Sequence, residues 1–282
     1  MPPTRTTRKL VIFTDLDGTL LDRNTYSFEP TLPALHLIKQ KGIPLILSSS
    51  KTRAEIEVYR EKLDNDHPFI AENGGAVFIS VGYFSFPHPY DRELEGYVIL
   101  ELGAFRPQII EVLKSIKKET GIPITGFSDL TEEEIRSLSG LSLTEAGLAK
   151  KREYDEPFLI NGEEKEIEIV KGKIREKGMN YTWGGKFHHI LGKNDKGKAI
   201  EILKELYENQ FSSIFSVGIG DSLNDLPMLS SVDYPIFLNG KDFLPQTLLP
   251  VQNVRVINEG GPRAWNEAIL NVVRELEIRT RG

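Results

Sequence analysis

The sequence predicts an α/β fold: a doubly wound (Rossmann-like), mostly parallel sheet core with an inserted α/β domain. Three observations predict it. Short, unbroken apolar runs of strand length stand at 10–14 and 43–47, the mark of strands buried on both faces of a parallel sheet. Each run is followed by a segment of helical character, the strand–helix alternation of open parallel sheets. That rhythm breaks after Phe69 and resumes at Asn194. The break implies a discontinuous core of residues 1–85 and 190–282 around an insertion at 86–189.

In order along the chain, 10–14 is the first strand. Pro30 and Thr31 then open a helix with apolar positions Leu32, Leu35 and Ile38, stopped near Gly42, because proline suits a first helical turn and glycine a helix end. A second strand at 43–47 runs into Ser48-Ser49-Ser50, and a charged helix covers 52–63. Strands are expected at 70–79 and 97–102, then helices at 107–118, 131–138 and 163–177. Residues 180–191 read as a hairpin turned at Gly184-Gly185. A helix to about 208, a strand at 213–217, a helix at 222–229, a strand at 234–238 and a last helix at 262–276 complete the chain.

The bulk numbers set limits. With 39% apolar and 27% charged residues, the chain is an ordinary soluble sequence able to bury a core. A net charge of −6 argues against a nucleic-acid partner, which requires a basic footprint, and against an anionic membrane surface. It leaves room for an anionic small substrate held by local cations. The absence of cysteine removes disulfides and thiolate metal sites. No apolar run approaches the ~20 residues that span a bilayer, and the N-terminus has no signal-peptide core, so the expectation is a cytoplasmic protein. Three methionines among many Glu and Lys lean toward a heat-adapted source. The oligomeric state, a homodimer included, is left open.

Four segments carry chemistry. Asp15-Leu16-Asp17-Gly18-Thr19-Leu20 leaves the carboxyl end of a buried strand, where open α/β sheets bind ligands. Asp15 can attack phosphorus and become an aspartyl-phosphate. Asp17 can protonate the leaving oxygen and then activate water, with Gly18 permitting the sharp turn. Alternatively, the pair is a solvated strand end. Gly218-Ile219-Gly220-Asp221-Ser222-Leu223-Asn224-Asp225 also follows a strand. Asp221 with Asp15 offers the hard oxygens magnesium requires, Asn224 and Asp225 stand within one turn, and helix capping by Asp221 or Ser222 is compatible with this.

Ser48-Ser49-Ser50-Lys51-Thr52-Arg53 places hydroxyls and backbone donors at a helix start, either an anion seat or a plain Ser/Thr cap. Asn194-Asp195-Lys196-Gly197-Lys198 offers an ammonium that can neutralise a nucleophile and a transferring phosphoryl group; solvated surface lysine is the competing account, above all for Lys198.

Acid pair, hydroxyl, lysine and acid cluster, in that order, resemble the catalytic motifs of the haloacid dehalogenase-like phosphohydrolase superfamily over nearly the whole chain. The resemblance implies Asp15 as nucleophile and Asp17 as acid/base. It implies Ser48 or a neighbouring serine (Ser49, Ser50) and Lys196 on the phosphoryl group, and Asp221 on magnesium with the carbonyl of Asp17 as a further ligand. An insertion between the hydroxyl and lysine motifs corresponds to the type-two (Cof-like) cap, an α/β lid over the site.

Within the superfamily the chain is similar to the mannosyl-3-phosphoglycerate phosphatases. The matching strings begin at Ser49, Glu72, Ile99, Arg152, Gly185 and Asp195. This implies a small phosphorylated glycoside as substrate, with mannosylglycerate, a compatible solute, as product; glucosyl-3-phosphoglycerate is the second expectation. Candidate substrate contacts are Lys51, Thr52, Arg53, Glu72, Asn73, Gly74, Arg152, Lys186 and His188. Lys186 stands where the resemblance calls for arginine, which exchanges a bidentate fork for a point charge. Lys186 and His188 share one face if 186–190 is a strand, while Asn73-Gly74 is equally a common turn pair. The competing accounts are a broader sugar phosphatase, a phosphomutase and a non-catalytic phosphosugar-binding protein.

Overall fold

The computed structural model describes residues 8–184, 187–240 and 251–281, and these fall into two compact units. The first comprises Met1–Ser48, Val81–His88 and Ile200–Gly282; the second comprises Ser49–Ser80 and Pro89–Ala199. The expected insertion at 86–189 lies in the second unit except for 86–88.

The first unit holds a parallel sheet. Its strands are β1 (Lys9–Thr14), β2 (Leu45–Ser48), β11 (Ile214–Gly220), β12 (Tyr234–Leu238) and β13 (Arg255–Ile257), ordered β13-β12-β11-β1-β2. Val11, Ile12 and Phe13 are fully buried, as the unbroken apolar run demands. β1 lies between β2 and β11, and the strand order reverses at the β1–β11 pair. Open α/β sheets bind ligands at such a reversal, beyond the carboxyl ends of the strands.

Helices α1 (Leu32–Gln40), α8 (Leu226–Ser230) and α9 (Gly261–Arg281) belong to this unit, as does most of α7 (Lys196–Phe211). α1, which follows a short proline-opened turn at Glu29–Thr31, buries Ala34 and Ile38, while of the other expected positions Leu35 is half-buried and Leu32 exposed. Trp265 of α9 is fully buried and donates from Nε1 to Thr14 Oγ1 at 2.9 Å. This bond fixes the residue next to the first acid.

The second unit carries two antiparallel sheets. One orders β3 (Phe69–Ala71), β4 (Ala76–Ser80), β6 (Tyr97–Glu101) and β5 (Arg92–Leu94) as β3-β4-β6-β5. The single strand expected at 70–79 is thus two strands. The chain reverses through Glu72, Asn73 and Gly74, all at positive φ (49°, 56° and 83°).

The other sheet orders β7 (Ile124–Gly126), β8 (Asp155–Ile160), β10 (Phe187–Leu191) and β9 (Asn180–Gly184) as β7-β8-β10-β9. The expected hairpin is present, with Gly185 and Lys186 of its turn outside the described residues. α3 (Arg106–Thr120) and α6 (Glu164–Glu176) cover this sheet through Ile109, Leu113, Ile116, Val170 and Ile174, packed on Ile124, Phe158 and Ile190. α2 (Arg53–Leu63), α4 (Glu132–Ser139) and α5 (Leu143–Ala149) complete the unit. Each starts at a Ser or Thr whose side chain accepts from the amide of a Glu three residues on, while that Glu returns to the Ser/Thr amide.

Candidate active site

In the first unit, Thr14 pairs with Ile219 on one side and Leu47 on the other. Asp15 and Ser48 therefore leave neighbouring strands at the same edge, and Asp221 follows Gly220 at the end of the third. The Asp15 amide donates to Ile219 O at 3.0 Å, pinning the acid to that edge. The chain then turns back on itself, with Leu21 N donating to Leu16 O (2.8 Å) and Gly18 N to Leu21 O (2.9 Å). Gly18 sits at φ +85°, and a Cβ there would stand 2.4 Å from Asp221 Oδ2. The positive φ favours glycine there, and any larger residue would have to displace the Asp221 and Arg23 side chains.

Asp225 is fully buried. Its Oδ2 accepts from the amides of Asp221 (3.0 Å) and Ser222 (3.1 Å) and from Ser222 Oγ (3.2 Å). A Cβ on Gly220 would meet Asp225 Cβ at 2.5 Å, so the glycine lets the 221–225 turn fold back against the strand end. As a result Asp15, Asp221 and Asp225 each present one carboxylate oxygen, and these atoms lie within 4.8 Å of one another. All three donors are hard anionic oxygens, the chemistry of a divalent cation of the magnesium or calcium type.

The carboxylate of Asp17 is not one of this trio. Asn224 Oδ1 accepts from Ser222 Oγ. Arg23, which the motif reading does not single out, places Nη2 2.5 Å from Asp221 Oδ2 beside a cavity of about 190 Å³ that Gly18, Asn239 and Gly260 also line. Ser48 is fully buried, and its Oγ has no hydrogen-bond partner among the described residues.

In the second unit, Ser49 Oγ accepts from the Lys51 amide (3.2 Å), and Ser50 O accepts from Arg152 Nη1 (3.0 Å). Thr52 is the N-cap of α2: its Oγ1 accepts from Glu55 N (3.2 Å) and donates to Leu148 O (3.0 Å). Lys51 lies 3.7 Å from Glu55, and Arg53 bridges Glu57 (3.0 Å) and Glu95 (2.7 Å). These cations have internal carboxylate partners.

The Glu72 carboxylate accepts the amides of Glu153 (2.9 Å), Tyr154 (2.8 Å) and Asp155 (3.0 Å). Burial first, then the charge of Asp155, push its pKa up to about 8. Asp155, itself fully buried, accepts from Arg152, from Asn73 Nδ2 (3.3 Å) and, at 2.9 Å, shares a proton position with His189 Nδ1. Burial works against its ionised form, yet Arg152 and His189 hold its pKa below the usual carboxylate range.

His188 points the other way, to the face that carries Ile190 in the apolar cluster under α3 and α6. Its Nδ1 meets Tyr181 Oη at 2.6 Å, and burial lowers its pKa. Lys186 lies outside the described residues. Lys196 opens α7 and is almost fully buried (1% exposed), whereas Lys198 is exposed beside Asp195, whose Oδ1 takes the Lys198 amide at 3.0 Å. Of the two lysines left open by the sequence, one is therefore enclosed and the other lies on the surface.

The family model of the haloacid dehalogenase-like hydrolases matches residues 12–242. The chain belongs to that family. Two relatives are alike over nearly their whole length. A glucosyl-3-phosphoglycerate/mannosyl-3-phosphoglycerate phosphatase of Methanococcoides burtonii is 45% identical over 94% of this chain and 97% of that protein. One of Persephonella marina is 40% identical over 95% and 98%. Among solved structures, a haloacid dehalogenase-like hydrolase from Bacteroides thetaiotaomicron superposes with a TM-score of 0.64 at 17% identity, over 94% of this chain and all of that one, a likeness of fold.

In this hydrolase the acidic trio at the strand-order reversal could hold a divalent cation. Asn194, Asp155 and His189 are polar groups that the motif reading passes over. His189 was hidden by strand phase alone, one residue from the histidine singled out. Among the described residues no helix is long and apolar enough to cross a membrane.

Proposed function

We propose that this hydrolase is a magnesium-dependent phosphatase that cleaves mannosyl-3-phosphoglycerate and glucosyl-3-phosphoglycerate to the glycosylglycerate and phosphate. The observation that carries the chemistry is the trio Asp15, Asp221 and Asp225, with carboxylate oxygens within 4.8 Å of one another at the ends of adjacent parallel strands. The substrate class is supported by the two relatives of 45% and 40% identity, both glucosyl-3-phosphoglycerate/mannosyl-3-phosphoglycerate phosphatases.

In the first step a carboxylate oxygen of Asp15 attacks phosphorus. The bond from phosphorus to the glycerate oxygen breaks, and Asp17 delivers its proton to that leaving oxygen. In the second step Asp17 takes a proton from water, the water oxygen attacks phosphorus, and the acyl-phosphate bond to Asp15 breaks to release phosphate. Magnesium, held by Asp15, Asp221 and Asp225 with the carbonyl of Asp17, supplies positive charge to the phosphoryl oxygens when bound. Asn224 orients this cluster through Ser222.

The buried Ser48 hydroxyl, without a partner among the described residues, is the hydroxyl assigned to a phosphoryl oxygen, in preference to Ser49 and Ser50. Ser49 Oγ already accepts from the Lys51 amide. The Lys196 ammonium neutralises phosphoryl charge. The insertion at 86–189 is assigned the selection of the glycosyl group.

The test is a turnover panel with magnesium. Mannosyl- and glucosyl-3-phosphoglycerate are expected to exceed simple hexose phosphates by at least about 100-fold in kcat/KM, a difference of roughly 3 kcal/mol in transition-state binding. Equal turnover across the panel would sink the substrate assignment and leave a general phosphatase.

A further inference from the structure

We propose that the left-handed turn Glu72–Asn73–Gly74 is a positioning device for Lys196, and that its side chains serve the protein's own hydrogen-bond network rather than the sugar. The inference rests on the role given to Lys196 above.

Three consecutive residues at positive φ, two of them not glycine, persist only where the surroundings over-determine them. Here they do so on every side. The Glu72 amide donates to Lys51 O and the Asn73 amide to Ser49 O, both at 3.0 Å, which ties the turn to the segment entering α2. The Glu72 carboxylate is occupied by the amides of Glu153, Tyr154 and Asp155, which ties it to the start of β8. Asn73 Nδ2 reaches Asp155 Oδ2 at 3.3 Å, and Asn73 O accepts from Asn194 Nδ2 at 3.3 Å. Beyond the turn, Gly75 O accepts the amides of Leu102 (2.9 Å) and Gly103 (2.8 Å).

The link to the lysine is a backbone contact. A Cβ on Gly74 would stand 2.1 Å from Asp195 O, 2.4 Å from Asp195 C and 2.9 Å from Lys196 N. These are main-chain atoms with no flexible end to give way. The peptide that introduces Lys196 therefore lies flat against the hydrogen atoms of Gly74, while Asn194, buried two residues upstream, is bonded to the same turn. The origin of the lysine side chain is held by this contact and by the start of α7. A lysine is a point charge on a flexible four-carbon stem, so where the stem begins governs where the charge can rest. Glu72 and Asn73 are 2% and 3% exposed, with the Glu72 carboxylate on main-chain amides and Asn73 Nδ2 on Asp155. A sugar hydroxyl would have to displace those partners.

The experiment is steady-state kinetics with magnesium on Gly74→Ala, Asn194→Ala, Lys196→Ala and the two double variants with Lys196→Ala. Ile174→Ala, in the apolar cluster under α3 and α6, is the control for lost stability. Gly74→Ala is expected to lower kcat by about 10- to 100-fold, the cost of an ångström-scale misplacement, with KM changed less than about threefold. Asn194→Ala is expected to lower kcat about fivefold, the scale of one hydrogen bond.

In the Lys196→Ala background each is expected to cost less than about twofold more, because residues acting through one group are not additive. Ile174→Ala should lower Tm and keep kcat. A raised KM with unchanged kcat, or losses that multiply in the Lys196→Ala background, would overturn the positioning role and restore a sugar contact. Wild-type kcat in Lys196→Ala would instead overturn the role of the lysine itself, and the positioning role with it. If Gly74→Ala does not fold, Asn194→Ala carries the same comparison.

Discussion

Chelation of the divalent ion is the perturbation whose size follows most directly from the geometry. Asp15, Asp221 and Asp225 hold oxygen atoms within 4.8 Å of one another. At an effective dielectric of about 20, two unit charges at that separation repel by roughly 3.5 kcal/mol. Arg23, 2.5 Å from Asp221, offsets part of this, and a divalent cation offsets more. Binding to the folded state alone adds about 2.7 kcal/mol at a hundred times Kd. At roughly 2 to 3 °C per kcal/mol for a chain of this size, that is a rise in Tm of about 5 to 8 °C.

Thermal unfolding in EDTA and across a magnesium series measures the rise, and calorimetric titration gives Kd independently of turnover. Asp225→Asn sharpens the test. The amide oxygen can still accept from the amides of Asp221 and Ser222, so the turn is retained while two of the three repulsive pairs disappear. The metal-free variant is expected to be no less stable than the metal-free wild type, and its magnesium shift should fall below half. A wild-type Tm indifferent to magnesium, or a variant that keeps the full shift, would refute the assignment of this trio to a metal.

Asp15→Asn should leave the metal-free Tm and the circular dichroism spectrum largely intact and abolish turnover; residual activity above about one part in a thousand would exclude Asp15 as the covalent acceptor. Thr52→Ala should cost about 1 to 2 kcal/mol through loss of the α2 cap, a fall in Tm of some 2 to 6 °C, with KM unchanged; a raised KM without loss of stability would make Thr52 a substrate contact. Glu72 carries a pH dependence: its folded pKa, pushed up to about 8 by burial and Asp155, exceeds the unfolded 4.5. The folded state then holds a proton that the unfolded chain releases, so this contribution is complete below about pH 4.5 and is lost as pH rises toward 8. Melting curves of wild type and Glu72→Gln over that window should diverge, the variant falling less; parallel curves would show that Glu72 is ionised throughout.

The chemistry was legible in the sequence because its segments are local. An acid pair, a serine run, a lysine at a helix start and an acid cluster each sit within a few residues of a strand end, and buried strands such as 10–14 announce themselves as unbroken apolar runs. α5 was legible too, through Ser142 and Glu145 three residues apart, a signal the periodicity reading passed over. β8 was not. Its Asp155, Glu156 and Pro157 argue against a strand interior, but Arg152 and His189 hold the first acid, Arg106 the second at 2.7 Å, and β7 pairs only as far as Phe158, which leaves the proline unpaired on that side.

What the sequence by itself determined was the fold class and the hydrolase family, since both depend on residue type and short spacing. Only the tertiary structure decided which groups are free to act. Asp225 joined Asp15 and Asp221 because glycines at 18 and 220 let two segments meet. Glu72 and Arg152 were drawn into a buried network by partners some eighty and one hundred residues away in the chain. His188 and His189 were sorted to opposite faces by the phase of one strand. The physical reason is common to all three: a polar side chain acquires its role from the partner that satisfies it once water is excluded, and that partner is chosen by packing across the whole chain.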